Sequence, residues 1–195
     1  MIIVADAHVS KAQSNHTTFF EMLEFFEGSH QNLIFLGDIF ELWVALPDYE
    51  NDIHHQFIEW CREQKKYRTI GFVEGNHEYY LGTERAQAFS WFSSNGWYRN
   101  DSGTLFVHGD QINYRDRFHL AFRKLFKNQM AKFIVNSLPF GPKYEESFKQ
   151  RLKHTNTKFR LHLPLEEIKF FAEARFAEGF NTIFVGHFHQ EYIYC

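Results

Sequence analysis

The sequence predicts an α/β fold built on a largely parallel sheet with helices on both faces. Two patterns predict it. Short apolar runs alternate with amphipathic stretches in a β-α-β-α order. The apolar runs also end alike, in glycine and cation-binding side chains, at the strand ends where open α/β sheets place their ligands. A length of 195 residues suits one domain with a substantial core, and 44% hydrophobic content excludes a disordered chain.

Ile2 to Ala5 reads as the first strand and leads into Asp6 and His8. Residues 16–27 read as a helix with Phe19, Met22, Leu23 and Phe26 on one face, stopped by Gly28. The central strand runs from Asn32 to Gly37, inside the stretch LIFLGDIFELW. Gly37 lets the chain turn sharply, and Asp38 then offers a hard oxygen. After a turn at Pro47 and Asp48, Ile53, Phe57, Ile58 and Cys61 mark a second helix. Arg68 to Val73 is the next strand and ends at Glu74, Gly75, Asn76 and His77. Thr83 is placed to cap a helix running to Ser94. Trp97–Asn100 and Thr104–His108 flank Asp101-Ser102-Gly103 as a hairpin. Leu165 to Glu178 reads as a helix closed by Gly179, followed by a strand from Thr182 to Val185 that ends at Gly186, His187, Phe188 and His189.

Residues 113–163 differ in character. Phe118, Phe122, Leu125, Phe126, Phe133 and Ile134 approximate one helical face, with Arg117, Arg123, Lys124, Lys127 and Lys132 on the rest. Leu138 to Pro142 breaks the helix, and Tyr144, Phe148 and Leu152 start a second amphipathic stretch. From Gln111 to Arg160 there are 12 Lys and Arg against 3 Asp and Glu; the remainder carries 9 against 21. A basic insert on an acidic body suits an anionic partner; the plainer alternative is a solvated helical face.

Asp6 and His8 lie two apart, so an extended strand end turns both to one side, and His187 and His189 repeat the spacing. Asp38, Asn76 and His108 add donors from three more strand ends. Carboxylate, imidazole and amide together suit Mn²⁺, Fe²⁺ or Zn²⁺. Seven donors are too many for one tetrahedral ion and enough for two ions sharing a carboxylate, about 3.5–4 Å apart. His16, His30, His54, His55, His119, His154 and His162 carry no such context and read as structural or surface residues. Cys61 and Cys195 are far apart and outside any metal spacing, which suits a reducing compartment. With a strand directly after Met1 and no apolar stretch long enough for a bilayer, a cytoplasmic location is expected, with contact to the inner membrane surface left open.

The ordered set D-x-H, G-D, G-N-H, H-G and G-H-x-H resembles the calcineurin-like metallophosphoesterases. The resemblance implies a four-layer α/β/β/α sandwich over 1–195, with 113–163 as a helical lid insertion. It implies two divalent ions, with Mn²⁺ foremost. Asp6, His8, Asp38 and His189 would hold one; Asp38, Asn76, His108 and His187 would hold the other. Asp38, Asn76 and His77 form the implied catalytic group, with His77 beside the phosphate to protonate or stabilise the leaving oxygen. The segment Gly37-Asp38-Ile39-Phe40-Glu41-Leu42-Trp43, together with His108-Gly109-Asp110 and its Phe- and Arg-rich insert, is similar to the pyrophosphohydrolases of UDP-2,3-diacylglucosamine in lipid A synthesis. That likeness implies cleavage of this nucleotide-sugar lipid to UMP and 2,3-diacylglucosamine 1-phosphate, with Phe118, Phe122, Arg123, Phe126 and Lys158 at the substrate. The family's G-N-H-D or G-N-R-D reads G-N-H-E here, so Glu78 has further to reach if it orients His77. The expected sheet edge near the C-terminus also leaves room for pairing with a second subunit. A nuclease or general phosphodiesterase of the same fold is the alternative activity, and a metal-free binding module the non-enzymatic one.

Overall fold

The structure is a computed structural model that describes residues 1–115, 117–137 and 163–195, without the side chains of Thr83, Phe118 and His119. The expectations for the second amphipathic stretch of the insert, for Lys158 and for the Phe118 side chain lie outside the described residues.

The first sheet is wholly parallel and contains β1 (Ile2–Val4), β2 (Leu33–Phe35), β4 (Ile70–Val73) and β6 (Trp91–Ser93) in the order β1-β2-β4-β6. Ile3 pairs with Ile34, and Leu33 with Ile70. A small parallel pair joins β3 (Trp43–Val44) to β5 (Glu78–Tyr79). The last sheet orders β7 (Trp97–Arg99), β8 (Thr104–Val107) and β9 (Thr182–Val185), with the β7–β8 pair antiparallel and the β8–β9 pair parallel. Among the described residues the helices are α1 (His16–Glu27), α2 (Asp52–Gln64), α3 (Gly82–Ala86), α4 (Arg117–Phe126), α5 (Gln129–Ser137) and α6 (Leu165–Ala177).

Apolar periodicity decides where each element packs. Phe19 and Leu23 of α1 and Phe57, Ile58 and Cys61 of α2 cluster with Leu33, Phe35, Ile70 and Phe72 of the first sheet. The alternate residues Ile34, Leu36 and Val73 cluster with Phe106 of β8, with Tyr98 and Phe184 beside them. Leu105 and Val107 face the other way and pack with Ile168 and Phe171 of α6. The period-two alternation of β2 and β8 thus supplies both faces of each sheet. The start of α2 is a capping box: Asn51 accepts from the Ile53 amide at 3.1 Å, and the Asn51 amide donates to His54 Nδ1 at 3.2 Å.

One element differs from expectation. The helix placed from Thr83 to Ser94 stops at Ala86, and Trp91–Ser93 forms the edge strand β6. Gly71 on β4 explains the change: a Cβ there would lie 2.1 Å from the Trp91 ring. The indole uses that gap and stacks on Tyr98 with centroids 3.7 Å apart. Packing of one aromatic residue against a distant glycine overrides the local helical pattern.

Candidate metal centre

The C-terminal ends of β1, β2, β4, β8 and β9 converge, and each presents donors. Asp6 Oδ2 accepts from the His187 amide at 2.7 Å, which ties the β1 and β9 ends together. Its other oxygen, Oδ1, is buried without a hydrogen-bond partner. His8 Nε2 and His189 Nε2 face each other at 3.2 Å with nearly parallel rings. Asp38 is fully buried; Oδ1 accepts from the His77 amide at 2.9 Å and lies 3.4 Å from His108 Nε2, while Oδ2 lies 3.7 Å from His77 Nε2. Asn76 Oδ1 is 3.1 Å from His108 Nε2. His187 lies against the His108 ring, with centroids 5.2 Å apart.

Histidine orientation follows from backbone carbonyls. His108 Nδ1 donates to the Leu36 carbonyl at 2.7 Å, which turns Nε2 toward Asp38 and Asn76. His77 Nδ1 donates to the Glu41 carbonyl at 2.5 Å, which leaves Nε2 facing Asp38. A carbonyl on one ring nitrogen fixes the tautomer and presents the other to a cation or substrate. Glu78 does not orient His77. Its fully buried carboxylate accepts from the amides of Asp38 (2.9 Å), Ile39 (3.0 Å) and Gly75 (2.7 Å), pinning the turn after β2 to the turn after β4. The two turns touch so closely that a Cβ on Gly37 would sit 2.4 Å from the Gly75 nitrogen.

The backbone at these donors is strained. Asp6 (φ 54°), His8 (φ 43°), Asp38 (φ 52°), His187 (φ 73°) and His189 (φ 52°) all occupy the left-handed region. Non-glycine residues seldom adopt it, and strain of this kind collects where a fixed arrangement is used.

Burial and neighbouring charges set the proton affinity of these groups. Burial pushes Asp6 up to about 7. Burial also opposes ionisation of Asp38, but His108, His77 and His8 outweigh it and hold its carboxyl well below the usual range. The same partnership raises His108 to about 10 against its own burial. Burial lowers His8 to about 4. Burial, then the Asp38 charge, raises Glu78 to about 7.

The residues present fit divalent cations. Among the described residues, three sets bring donor atoms within 4.8 Å of one another: Asp6, His8 and His189; His8, Asp38 and His77; and Asp38, His108 and His187. Asp6 Oδ1, which has no hydrogen bond and lies 3.8 Å from His189 Nε2, and the facing imidazoles of His8 and His189 are groups that a cation would satisfy.

Of the residues expected at the substrate, Phe122, Arg123 and Phe126 have described side chains. Phe122 and Phe126 pack with Leu42, Val44, Leu46 and Tyr79, their own rings 4.3 Å apart. Arg123 Nη1 donates to Asp110 Oδ2 at 2.6 Å. Sequence reasoning missed Asp110, Glu74, Lys127 and the Glu41 carbonyl as parts of the surroundings. For Asp110 the signal was its place directly after His108-Gly109; a backbone carbonyl leaves none.

An α/β scaffold with carboxylate, amide and imidazole donors gathered at its strand ends defines a metal-dependent phosphoester hydrolase. The chain belongs to the calcineurin-like phosphoesterase family, whose sequence model matches residues 1–191. It is similar to proteins named UDP-2,3-diacylglucosamine hydrolase. The one from Shewanella piezotolerans is 26% identical over 99% of this chain and 83% of its own length. That from Blochmanniella pennsylvanica is 26% identical over 100% of this chain and 80% of its own. That from Shewanella loihica is 29% identical over 78% of this chain and 64% of its own. Among the described residues no helix is long and apolar enough to cross a membrane.

Proposed function

We propose that the chain hydrolyses the pyrophosphate bond of UDP-2,3-diacylglucosamine, releasing UMP and 2,3-diacylglucosamine 1-phosphate. The observation that carries this reading is Asp38: it belongs to two of the three donor sets and links the His8 side of the site to the His108 and His187 side. Asp6, His8, Asp38 and His189 would hold one divalent ion, and Asp38, Asn76, His108 and His187 the other, with Mn²⁺ ahead of Fe²⁺ and Zn²⁺. A bound ion pair supplies Lewis acidity and an activated water for in-line displacement at phosphorus. His77, held through Nδ1 by the Glu41 carbonyl, keeps Nε2 at the site's edge to place a proton on the leaving oxygen. Asn76 and His108 stay aligned through their mutual 3.1 Å contact.

The substrate class rests on the names of the relatives and on helices α4 and α5. Leu125 (64% exposed), Met130 (75%), Phe133 (74%) and Ile134 (53%) present apolar surface there, suited to acyl chains and to the surface of an anionic membrane. Arg123 and Lys127, by contrast, are half-buried and held in ion pairs, which removes two cations from any nucleic-acid surface. This favours the lipid over the nuclease reading. The three apolar clusters support the order helix, sheet, sheet, helix for a single domain, with 113–163 as its insertion.

The test is UMP release from UDP-2,3-diacylglucosamine by the Mn²⁺-loaded protein, with single-stranded DNA as competitor. Release of UMP unaffected by DNA is expected. DNA cleavage that falls steeply with salt, with no UMP formed, would replace this reading with the nuclease one.

A further inference from the structure

Helix α4 reaches the turns that carry the metal donors. Arg123 stands in the last turn of α4, and Lys127 directly follows the helix with its amide donating to the Arg123 carbonyl at 2.9 Å, so both side chains leave the same end of α4. Arg123 Nη1 donates to Asp110 Oδ2 at 2.6 Å and approaches the Gly75 carbonyl at 3.5 Å. Lys127 Nζ donates to the same Gly75 carbonyl at 2.5 Å and lies 3.4 Å from Glu74 Oε2. These are interior contacts: the side chains of Arg123 and Lys127 are 11% and 12% exposed, those of Asp110 and Glu74 are 1% and 5%. Asp110 follows His108 by two residues, and Gly75 directly precedes Asn76. Two cations at the C-terminal end of α4, one in its last turn and one just past it, therefore meet the turn after β4 and the turn after β8 together. The Gly75 peptide is held from both sides, since its amide donates to Glu78 while its carbonyl accepts from α4. The Tyr80 hydroxyl adds a bond to the Phe126 carbonyl at 2.7 Å.

We propose that Arg123 and Lys127 are positioning residues for the metal centre, clamping the Glu74–His77 and His108–Asp110 turns so that Asn76, His77 and His108 face Asp38. This rests on the proposed function and deepens it. It assigns α4 a role beyond covering the substrate: removing the helix contacts loosens donors that α4 itself does not touch. Groups behind a ligand set commonly change metal affinity or activity by about 10–100-fold.

The experiment titrates Mn²⁺ alone into the metal-stripped full chain, by calorimetry and electron paramagnetic resonance, for wild type, Arg123→Met, Lys127→Met and the charge-preserving Lys127→Arg. Weakening of at least one Mn²⁺ site by about 10–100-fold in the Met variants, with a broadened Mn²⁺ spectrum, is expected. The kcat on bis(p-nitrophenyl) phosphate should fall with KM within about twofold, and Lys127→Arg should retain most of both properties. A lower thermal midpoint with unchanged Mn²⁺ affinity and spectrum would reduce the clamp to a structural brace and overturn the proposal. A raised KM with unchanged kcat and metal binding would also overturn it and make the two cations substrate contacts. If the Met variants do not fold, Arg123→Lys replaces them. It keeps the charge but lacks the fork that serves both Asp110 and Gly75. Weaker Mn²⁺ binding is expected in it, and wild-type binding would overturn the proposal. A wild-type chain that binds no Mn²⁺ would remove the proposed function as well, whereas two tight sites shared equally by wild type and variants would remove only the clamp.

Discussion

The strand-end turns and helices α4–α5 handle polarity in opposite ways. At the strand ends Asp38, Asn76, His77 and His108 are buried, and Asp38, His77 and His108 bond backbone amides and carbonyls of turns distant in sequence. Along α4 and α5, Arg123 and Lys127 are half-buried in ion pairs with the body, while Leu125, Met130, Phe133 and Ile134 stand in solvent. Burial of polar groups costs free energy unless they are paired or used. In the turns, the Asp6 oxygen that lacks a hydrogen-bond partner marks a group whose use lies with a cation. In the helices the exposed feature is apolar instead. The contrast teaches that the character of a segment's composition does not say which of its residues face outward.

The sharpest way to break the comparison is at its centre. Asp38→Ala should empty at least one metal site and reduce turnover to background while leaving a folded chain, because the sheet core lies in other residues. Metal analysis beside circular dichroism checks it; near wild-type turnover with two bound ions would dismantle the two-ion reading.

His77→Ala should keep the metal content and lose about 10²–10⁴-fold in kcat, as expected for a group acting on the leaving oxygen. Loss of metal from this variant would instead move His77 into the ligand set.

Acid should weaken metal binding in a defined window. Asp6, raised by burial to about 7, carries a proton below that pH, and an incoming cation must displace it. His108, at about 10, still carries its proton at pH 8 and must release it as well. The sign is therefore fewer protons released at pH 8 than at pH 6, with affinity falling by up to about tenfold per pH unit for each added proton below pH 7. Calorimetry in buffers of different ionisation enthalpy measures this, and identical proton release at the two values would refute it.

The smallest expected effect lies on the helices. Phe133→Asp, at an exposed position, should lower turnover of the acylated substrate by about tenfold, since each CH₂ kept in water forgoes about 0.8 kcal/mol. Hydrolysis of bis(p-nitrophenyl) phosphate should not change. Equal effects on both substrates would end the acyl-chain role of α5.

Phe122 and Phe126 show where sequence pattern ran short. Both belong to the apolar face of α4, and the structure packs them with Leu42, Val44 and Tyr79 beside the β3–β5 pair. A helical period identifies an apolar face and says nothing of what covers it. Trp91 shows the same limit from another side, because its strand depends on the missing side chain of Gly71.

The sequence by itself determined the order of the apolar runs, the parallel character of the first sheet and the candidate donors, because strand periodicity and strand-end polarity are local properties of the chain. Tertiary structure alone decided three further matters. Glu78 accepts three amides from two turns rather than orienting His77. Asp6, His8, Asp38, His187 and His189 take left-handed backbone conformations. Arg123 and Lys127 face inward onto Asp110, Glu74 and the Gly75 carbonyl. Each depends on partners many residues away, and the free energy of such contacts exists only once loop closure has brought the segments together.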